Sequence, residues 1–288
     1  MAREIRTIRK VVTGRDAVDG AGVKLVRVIG HRDTEDFDPF LLLDAFDSTD
    51  PKDYVKGFPW HPHRGIETIT YLIKGDIEHG DSLGNKGSIL DGECQWMTAG
   101  SGIIHQEMPK ARDRLLGVQL WLNMPARNKM EAPKYHGIVS ADVPVIDEGE
   151  SAIHILAGSY KGFSGAMDGE YVKALFLDVE VGRGGEWTLD TERDETVFVY
   201  IVEGEGAFDP SGEVYPAKRA LLFNKGNQVQ VKASESGLRF LLMAAKPLGE
   251  PISWGGPVVM NTKEELDRAF REIDEGTFIK GSSPEKRH

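Results

Sequence analysis

The sequence predicts an all-β protein: two tandem sandwich or barrel domains followed by one short C-terminal helix. Three features carry this reading. Short β-rich runs recur with turn residues between them, one strand-to-turn unit occurs twice, and a single amphipathic helical stretch lies near the end.

The β-rich runs fall at 24–29, 67–73, 116–122, 174–181, 196–202, 220–223, 229–231 and 238–243. Their β-branched and aromatic content, broken by turns rather than by long helical patterns, suits antiparallel sheets and not βαβ units. The repeat pairs the segment 67–75, ETITYLIKG, with 195–204, ETVFVYIVEG, which carries one extra residue. A chain of 288 residues exceeds the usual size of one hydrophobic core, so the repeat reads as a duplicated domain.

The helix is expected over 262–276. Thr262 and Glu265 form a capping box, Gly276 terminates it, and Leu266, Ala269, Phe270 and Ile273 share one face that should dock on a β-domain. The expected divisions are an N-terminal domain at 1–135, a second domain at 136–260, and the helix and tail at 261–288. Pro, Gly and acidic residues accumulate from 136 to 149 as a linker, and a loose polar tail follows Lys280.

Composition narrows the function. Apolar residues make up 40% and charged residues 28% of the chain, which suits a folded globular protein. A net charge of -11 argues against a broad phosphate-binding surface and hence against direct nucleic-acid binding. No stretch approaches the roughly 18 apolar residues of a membrane span, and no apolar signal core follows the N-terminus, so a cytoplasmic location is expected. The single cysteine, Cys94, lies among apolar residues and reads as a packing residue rather than a redox group.

The strongest chemical signal is Trp60-His61-Pro62-His63-Arg64-Gly65-Ile66-Glu67 followed by Gly100-Ser101-Gly102-Ile103-Ile104-His105-Gln106-Glu107. Residues two apart on a strand share a face, so His61 with His63 and His105 with Glu107 make two convergent pairs able to enclose one ion. Glycines beside each pair permit close backbone approach. If the first strand runs on unbroken, Ile69, Tyr71 and Ile73 share the face of His61 and His63 and line an apolar barrel interior; Glu67 has the parity of His63 and is the competing carboxylate. Imidazole and carboxylate without thiolate suit iron, manganese, nickel, copper or zinc, and especially redox chemistry at open coordination positions.

No histidine occurs between His154 and His288. Aligning the repeats places Asp190 and Glu192 near the positions of His61 and His63, and Gln230 near that of His105, so the second domain is expected to bind no metal and to serve a structural or interactive role. His31, His79, His136 and His154 are assigned surface or packing roles. Gly84-Asn85 and Lys86-Gly87 read as hairpin turns.

His-x-His-x-x-x-Glu followed by a Gly-containing turn before a second His resembles the cupin pattern. Two departures, Gly100 in place of the usual proline and Glu107 two residues after His105, resemble the pirin family. So do Asp38-Pro39-Phe40, Gln95-Trp96-Met97-Thr98-Ala99-Gly100, Gln119-Leu120-Trp121-Leu122-Asn123-Met124-Pro125 and Gly256-Pro257-Val258-Val259-Met260. The resemblance implies a bicupin whose metal ligands are His61, His63, His105 and Glu107, with Glu67 in a supporting or structural position. It implies one ion, iron as Fe2+ or Fe3+ in first place, with Mn, Ni, Cu and Zn as alternatives. It further implies quercetin 2,3-dioxygenase activity on a flavonol-like, enolisable substrate with dioxygen, Glu107 easing deprotonation of the substrate hydroxyl. The alternative it implies is an iron-binding regulator of transcription or of a partner enzyme, acting through protein contacts.

Overall fold

The computed structural model describes residues 3–280, so the tail after Lys280 lies outside the described residues. Strand β1 (Ile8–Thr13) is followed by β2 (Arg15–Asp19), β3 (Val23–Ile29), the one-turn helix α1 (Thr34–Phe37) and β4 (Phe40–Ser48). Next come β5 (Phe58–His63), β6 (Ile66–Lys74), β7 (Ile77–Asp81), β8 (Lys86–Ile89), β9 (Cys94–Thr98), β10 (Ile103–Pro109), β11 (Leu115–Asn123) and β12 (Lys134–Ile138). The second half contributes β13 (Val145–Asp147), β14 (Ser151–Ala157), β15 (Ser159–Tyr160), β16 (Phe163–Ser164), β17 (Leu175–Val181), β18 (Glu186–Asp190), β19 (Thr196–Ala207), β20 (Val214–Pro216), β21 (Arg219–Phe223) and β22 (Gln228–Ala245). Strands β23 (Ser253–Gly255) and β24 (Val258–Met260) precede helix α2 (Lys263–Asp274).

Each β-rich run of the sequence falls on a strand, and the last two join into the 18-residue β22. The all-β class with one short C-terminal helix is therefore what the chain adopts. The two motif segments fall on β5 and β10, as their paired residues require, whereas β7 was not legible: its His, Gly and acidic residues owe their strand character to pairing.

The chain groups into two compact units that are discontinuous in sequence. Among the described residues, one comprises those up to 15, 27–39 and 140–248; the other comprises 16–26, 40–139 and those from 249 on. Continuous segments ending at 135 and 260 describe the chain differently, for two physical reasons. β12 crosses residue 135 and pairs with β9 through Tyr135 and Met97. The segment from 249 onward packs in the unit that contains β5 to β12, while β1 pairs with β21 in the other.

The first of these units is built on a nine-stranded sheet, ordered β1-β21-β19-β22-β17-β14-β13, with β18 on β22 and β20 on β19. Its main core is an apolar cluster, with Trp187, Phe208, Phe240, Leu242 and Val199 among the buried side chains. On β18 and β22, Trp187, Leu189, Val229 and Val231 turn inward. Asp190 instead accepts from Gln228 Nε2 at 2.8 Å, and Glu192 is exposed. Hydrophobic bulk thus fills the space in which the other unit holds imidazoles.

The unit containing β5 to β12 has two sheets, ordered β5-β10-β7-β8 and β12-β9-β6-β11-β4-β3-β2. Helix α2 forms as its sequence dictates. Thr262 accepts from the Glu265 amide while Glu265 reaches back to the Thr262 amide, and Gly276 adopts φ +70° after the last turn. Its Leu266, Ala269 and Ile273 pack with Val258, Met260 and Phe278, whereas Phe270 stays 38% exposed. Cys94 is buried in β9, and burial pushes its thiol pKa up, as a packing role requires.

Candidate metal centre

Strands β5 and β10 are antiparallel neighbours that place His105 opposite His61 and Ile103 opposite His63. The alternation on β10 buries Ile103, His105, Glu107 and Pro109 and leaves the residues between them less covered, so His105 and Glu107 share one face. His61, His63 and His105 bring one ring nitrogen each to within 4.8 Å of one another. The rings lie 4.4 to 5.0 Å apart, centroid to centroid.

Glycines make this convergence sterically possible. Gly65 has φ +77°, and a Cβ there would lie 2.0 Å from the Val259 carbonyl oxygen. Gly100 has φ +50°, and a Cβ there would lie 2.2 Å from the Glu131 carbonyl oxygen. The Gly65 amide donates to the Gly100 carbonyl at 2.9 Å, tying the two ligand-bearing segments together.

The hydrogen bonds of the imidazoles set their tautomers. His61 Nδ1 lies 2.8 Å from the Pro59 carbonyl oxygen and His63 Nδ1 lies 3.1 Å from that of Pro257. A carbonyl only accepts, so each Nδ1 carries the hydrogen and each Nε2 presents a lone pair. Those two Nε2 atoms face each other at 3.0 Å. Two lone pairs at that distance repel, and a cation between them removes the conflict. His105 repeats the message: among the described residues neither of its ring nitrogens has a hydrogen-bond partner, though both are buried. Burial, first, and the neighbouring His61 hold the His63 pKa down to about 3, and burial holds His105 well below its usual value. Neutral imidazoles are the form that ligates metal. The donor set therefore fits a resident transition-metal ion.

Glu107 is buried beside this triad and held by two donors. Thr70 Oγ1 donates to its Oε1 at 2.7 Å and Gln119 Nε2 to its Oε2 at 2.7 Å. Trp121 Nε1 donates to Gln119 Oε1 at 3.2 Å, which fixes the amide with its NH2 toward Glu107. Burial raises the Glu107 pKa, against the lowering effects of Thr70, His61 and Gln119.

Glu67 takes the opposite face of β6. It accepts from Thr98, its cross-strand neighbour, at 2.6 Å. Thr70, three residues on, points toward Glu107, so strand alternation turns Glu67 away from that carboxylate. The same geometry corrects the expected lining by Ile69, Tyr71 and Ile73. The chain leaves one sheet for the other at Arg64 and Gly65, and parity does not carry across; Thr70, Gln119 and Trp121 face the centre instead.

Sequence reasoning missed several contributors. Trp121 meets His63 edge-on at 5.0 Å. The Pro257 carbonyl comes from nearly two hundred residues downstream of His63. His79 lies inside β7, opposite Glu107, and is 6% exposed, so of its expected surface or packing roles burial removes the first. Its alternation with Ile77 and Asp81 was the available signal. The hairpin reading of 84–87 agrees with Gly84 at φ +95° and with Asp81 accepting from the Leu83 and Asn85 amides.

A two-sheet β-domain with three convergent histidines, joined in one chain to a second β-domain with an apolar core, defines a bicupin with, among the described residues, one histidine cluster able to hold a metal ion. The Pirin family pattern matches residues 22–122 and the Pirin C-terminal cupin domain matches 176–279. The chain belongs to the pirin family. A pirin-like protein of Caulobacter vibrioides is 40% identical over 95% of this chain and 99% of its own. The crystal structure of a quercetin 2,3-dioxygenase from Acinetobacter baumannii is 32% identical, covers 96% of this chain and 99% of its own, and superposes with a TM-score of 0.86. An Escherichia coli pirin, YhhW, solved in complex with nickel(II), shares the fold at 20% identity and a TM-score of 0.66, over 83% of this chain and 98% of its own. No described helix is long and apolar enough to cross a membrane.

Proposed function

We propose that this protein is a metal-dependent dioxygenase that opens a flavonol-like, enolisable substrate with dioxygen, releasing carbon monoxide. One observation carries the reading: three imidazoles, two of them buried, converge on a point where two Nε2 lone pairs meet at 3.0 Å, with a buried carboxylate alongside. The likeness to the Acinetobacter quercetin 2,3-dioxygenase supports the substrate class.

His61, His63, His105 and Glu107 would hold the ion, iron in first place. When bound, it supplies Lewis acidity toward a substrate oxygen and redox chemistry with dioxygen. The chain's own residues do the rest. Pro59 and Pro257 carbonyls orient His61 and His63, so the site is preorganised before substrate arrives. Glu107, with its pKa raised by burial, accepts the proton of the substrate hydroxyl, and Thr70 and Gln119 hold the carboxylate in place for that transfer. Trp121 closes one wall against His63 and excludes water.

The test is oxygen uptake and carbon monoxide release by iron-loaded protein with quercetin. Wild type should turn over well above free iron, and His61→Ala and His105→Ala should abolish turnover while retaining the circular dichroism of the folded chain. Turnover no greater than free metal, across iron, manganese, nickel and copper forms, overturns the reading.

A further inference from the structure

Beside the triad sits a second polar group that the chemistry above does not use. β7 pairs with β10 so that His79 stands opposite Glu107 and Asp81 opposite His105. Directly paired residues on an antiparallel ladder share a face, so the His79 side chain turns to the same side as Glu107 and His105. His79 is 6% exposed.

The ring is clamped. Tyr135 on β12 stacks on it at 5.0 Å and 24°, and its hydroxyl lies 2.8 Å from His79 Nε2. On β8 the cross-strand residue is Gly87, where a Cβ would come within 2.9 Å of that same Nε2, so the absence of a side chain there makes room for the imidazole. Asp81 does not reach over to pair with it. Its Oδ1 accepts from the Leu83 and Asn85 amides and its Oδ2 from Asn85 Nδ2.

Among the described residues, His79 Nδ1 is buried with no hydrogen-bond partner. A phenol is the better donor and an imidazole nitrogen the better acceptor, so Tyr135 donates to Nε2 and the ring hydrogen sits on Nδ1. An unmatched buried N–H carries a desolvation penalty, which a polar ligand atom removes on binding. The clamped ring keeps Nδ1 as its unmatched donor, on a side chain that shares a face with Glu107 and His105.

We propose that His79 is a substrate-binding residue whose Nδ1–H donates a hydrogen bond to an oxygen of the enolisable ligand held at the triad, and that Tyr135 is the positioning residue that sets its tautomer. This rests on the proposed function above, and it adds a polar contact that selects ligands with a second oxygen near the chelating pair. An anionic or carbonyl oxygen fits a donor; an apolar ring edge does not.

The test uses the full chain loaded with zinc, which is diamagnetic, and quercetin as the probe. Binding is followed by quenching of tryptophan emission, metal content by elemental analysis and the fold by circular dichroism. His79→Leu should retain its metal and bind quercetin about tenfold more weakly, the loss of one well-placed hydrogen bond. His79→Asn keeps an N–H donor near the position of Nδ1 and should recover most of that loss, which a packing role would not produce. Tyr135→Phe, at a half-buried position, should weaken binding about threefold. Nitrogen NMR of labelled histidine should find the wild-type hydrogen on Nδ1, with a resonance that moves when quercetin is added. Variants that fold, keep their metal and bind quercetin as tightly as wild type overturn the inference alone. Wild type that binds no quercetin in any metal form overturns the dioxygenase reading and this inference with it.

Discussion

Replacing Arg64 with methionine tests how the segment after residue 249 supports the metal centre. Arg64 follows His63 directly, and its guanidinium is 2% exposed. Nε donates to the Ser101 carbonyl at 2.7 Å and Nη2 to the Phe278 carbonyl at 2.9 Å. Nη2 also lies 2.7 Å from Glu272 Oε2, and the group sits 4.2 Å over the Phe278 ring. Methionine keeps an apolar stem but leaves two carbonyls without a donor and removes one partner of a largely buried ion pair. Breaking such pairs costs about 3–5 kcal/mol. Glu272 keeps Lys280 at 2.7 Å and is 18% exposed, so the low end applies, about 3 kcal/mol.

The affected backbone provides the assay. The Val259 amide donates to the Arg64 carbonyl at 3.1 Å and the Gly65 amide to the Gly100 carbonyl at 2.9 Å. In native-state hydrogen exchange both should exchange more than about a hundredfold faster in Arg64→Met, the factor that 3 kcal/mol represents. Metal should dissociate faster as well, because Pro257, which orients His63, lies on the same released segment. Exchange at both amides within about threefold of wild type would refute the assignment of Arg64 as the anchor.

Two further predictions follow from buried charge. Glu107→Gln should weaken metal retention against a chelator by about tenfold or more, whereas Glu67→Gln, on the other face of β6, should have a clearly smaller effect; the reverse order would make Glu67 the ligand. Lys129 is buried with Nζ donating to the Gly65 carbonyl, Asn123 Oδ1 and the Val259 carbonyl, and burial lowers its pKa to about 7. Below pH 7 the amine is charged in both folded and unfolded chains; between about 7 and 10.5 only the unfolded chain binds the extra proton. Stability should therefore rise with pH across that window by up to about 1.4 kcal/mol per pH unit, a component that Lys129→Met removes. Thermal unfolding followed against pH for both proteins reads the difference, and identical pH profiles would contradict it.

Local order in the sequence determined what local physics controls. β-branched runs, a duplicated strand and turn, and the Thr262–Glu265 capping box each specify their element through contacts a few residues apart, and each formed where expected. The convergence of His61, His63 and His105, and the shared face of His105 and Glu107, were legible because strand alternation orients each pair without knowledge of the partner strand. Pairing across strands was not legible. Thr70 and Gln119 reach Glu107 from β6 and β11, and His79 reaches the same side from a strand whose His-Gly-Asp sequence resembles a turn. Nor does local sequence say that the chain changes sheet between β5 and β6, that residues 249–280 pack with β5 to β12, or that Pro257 holds His63. Those choices depend on which distant backbone satisfies a buried donor, and only the folded chain brings the candidates together.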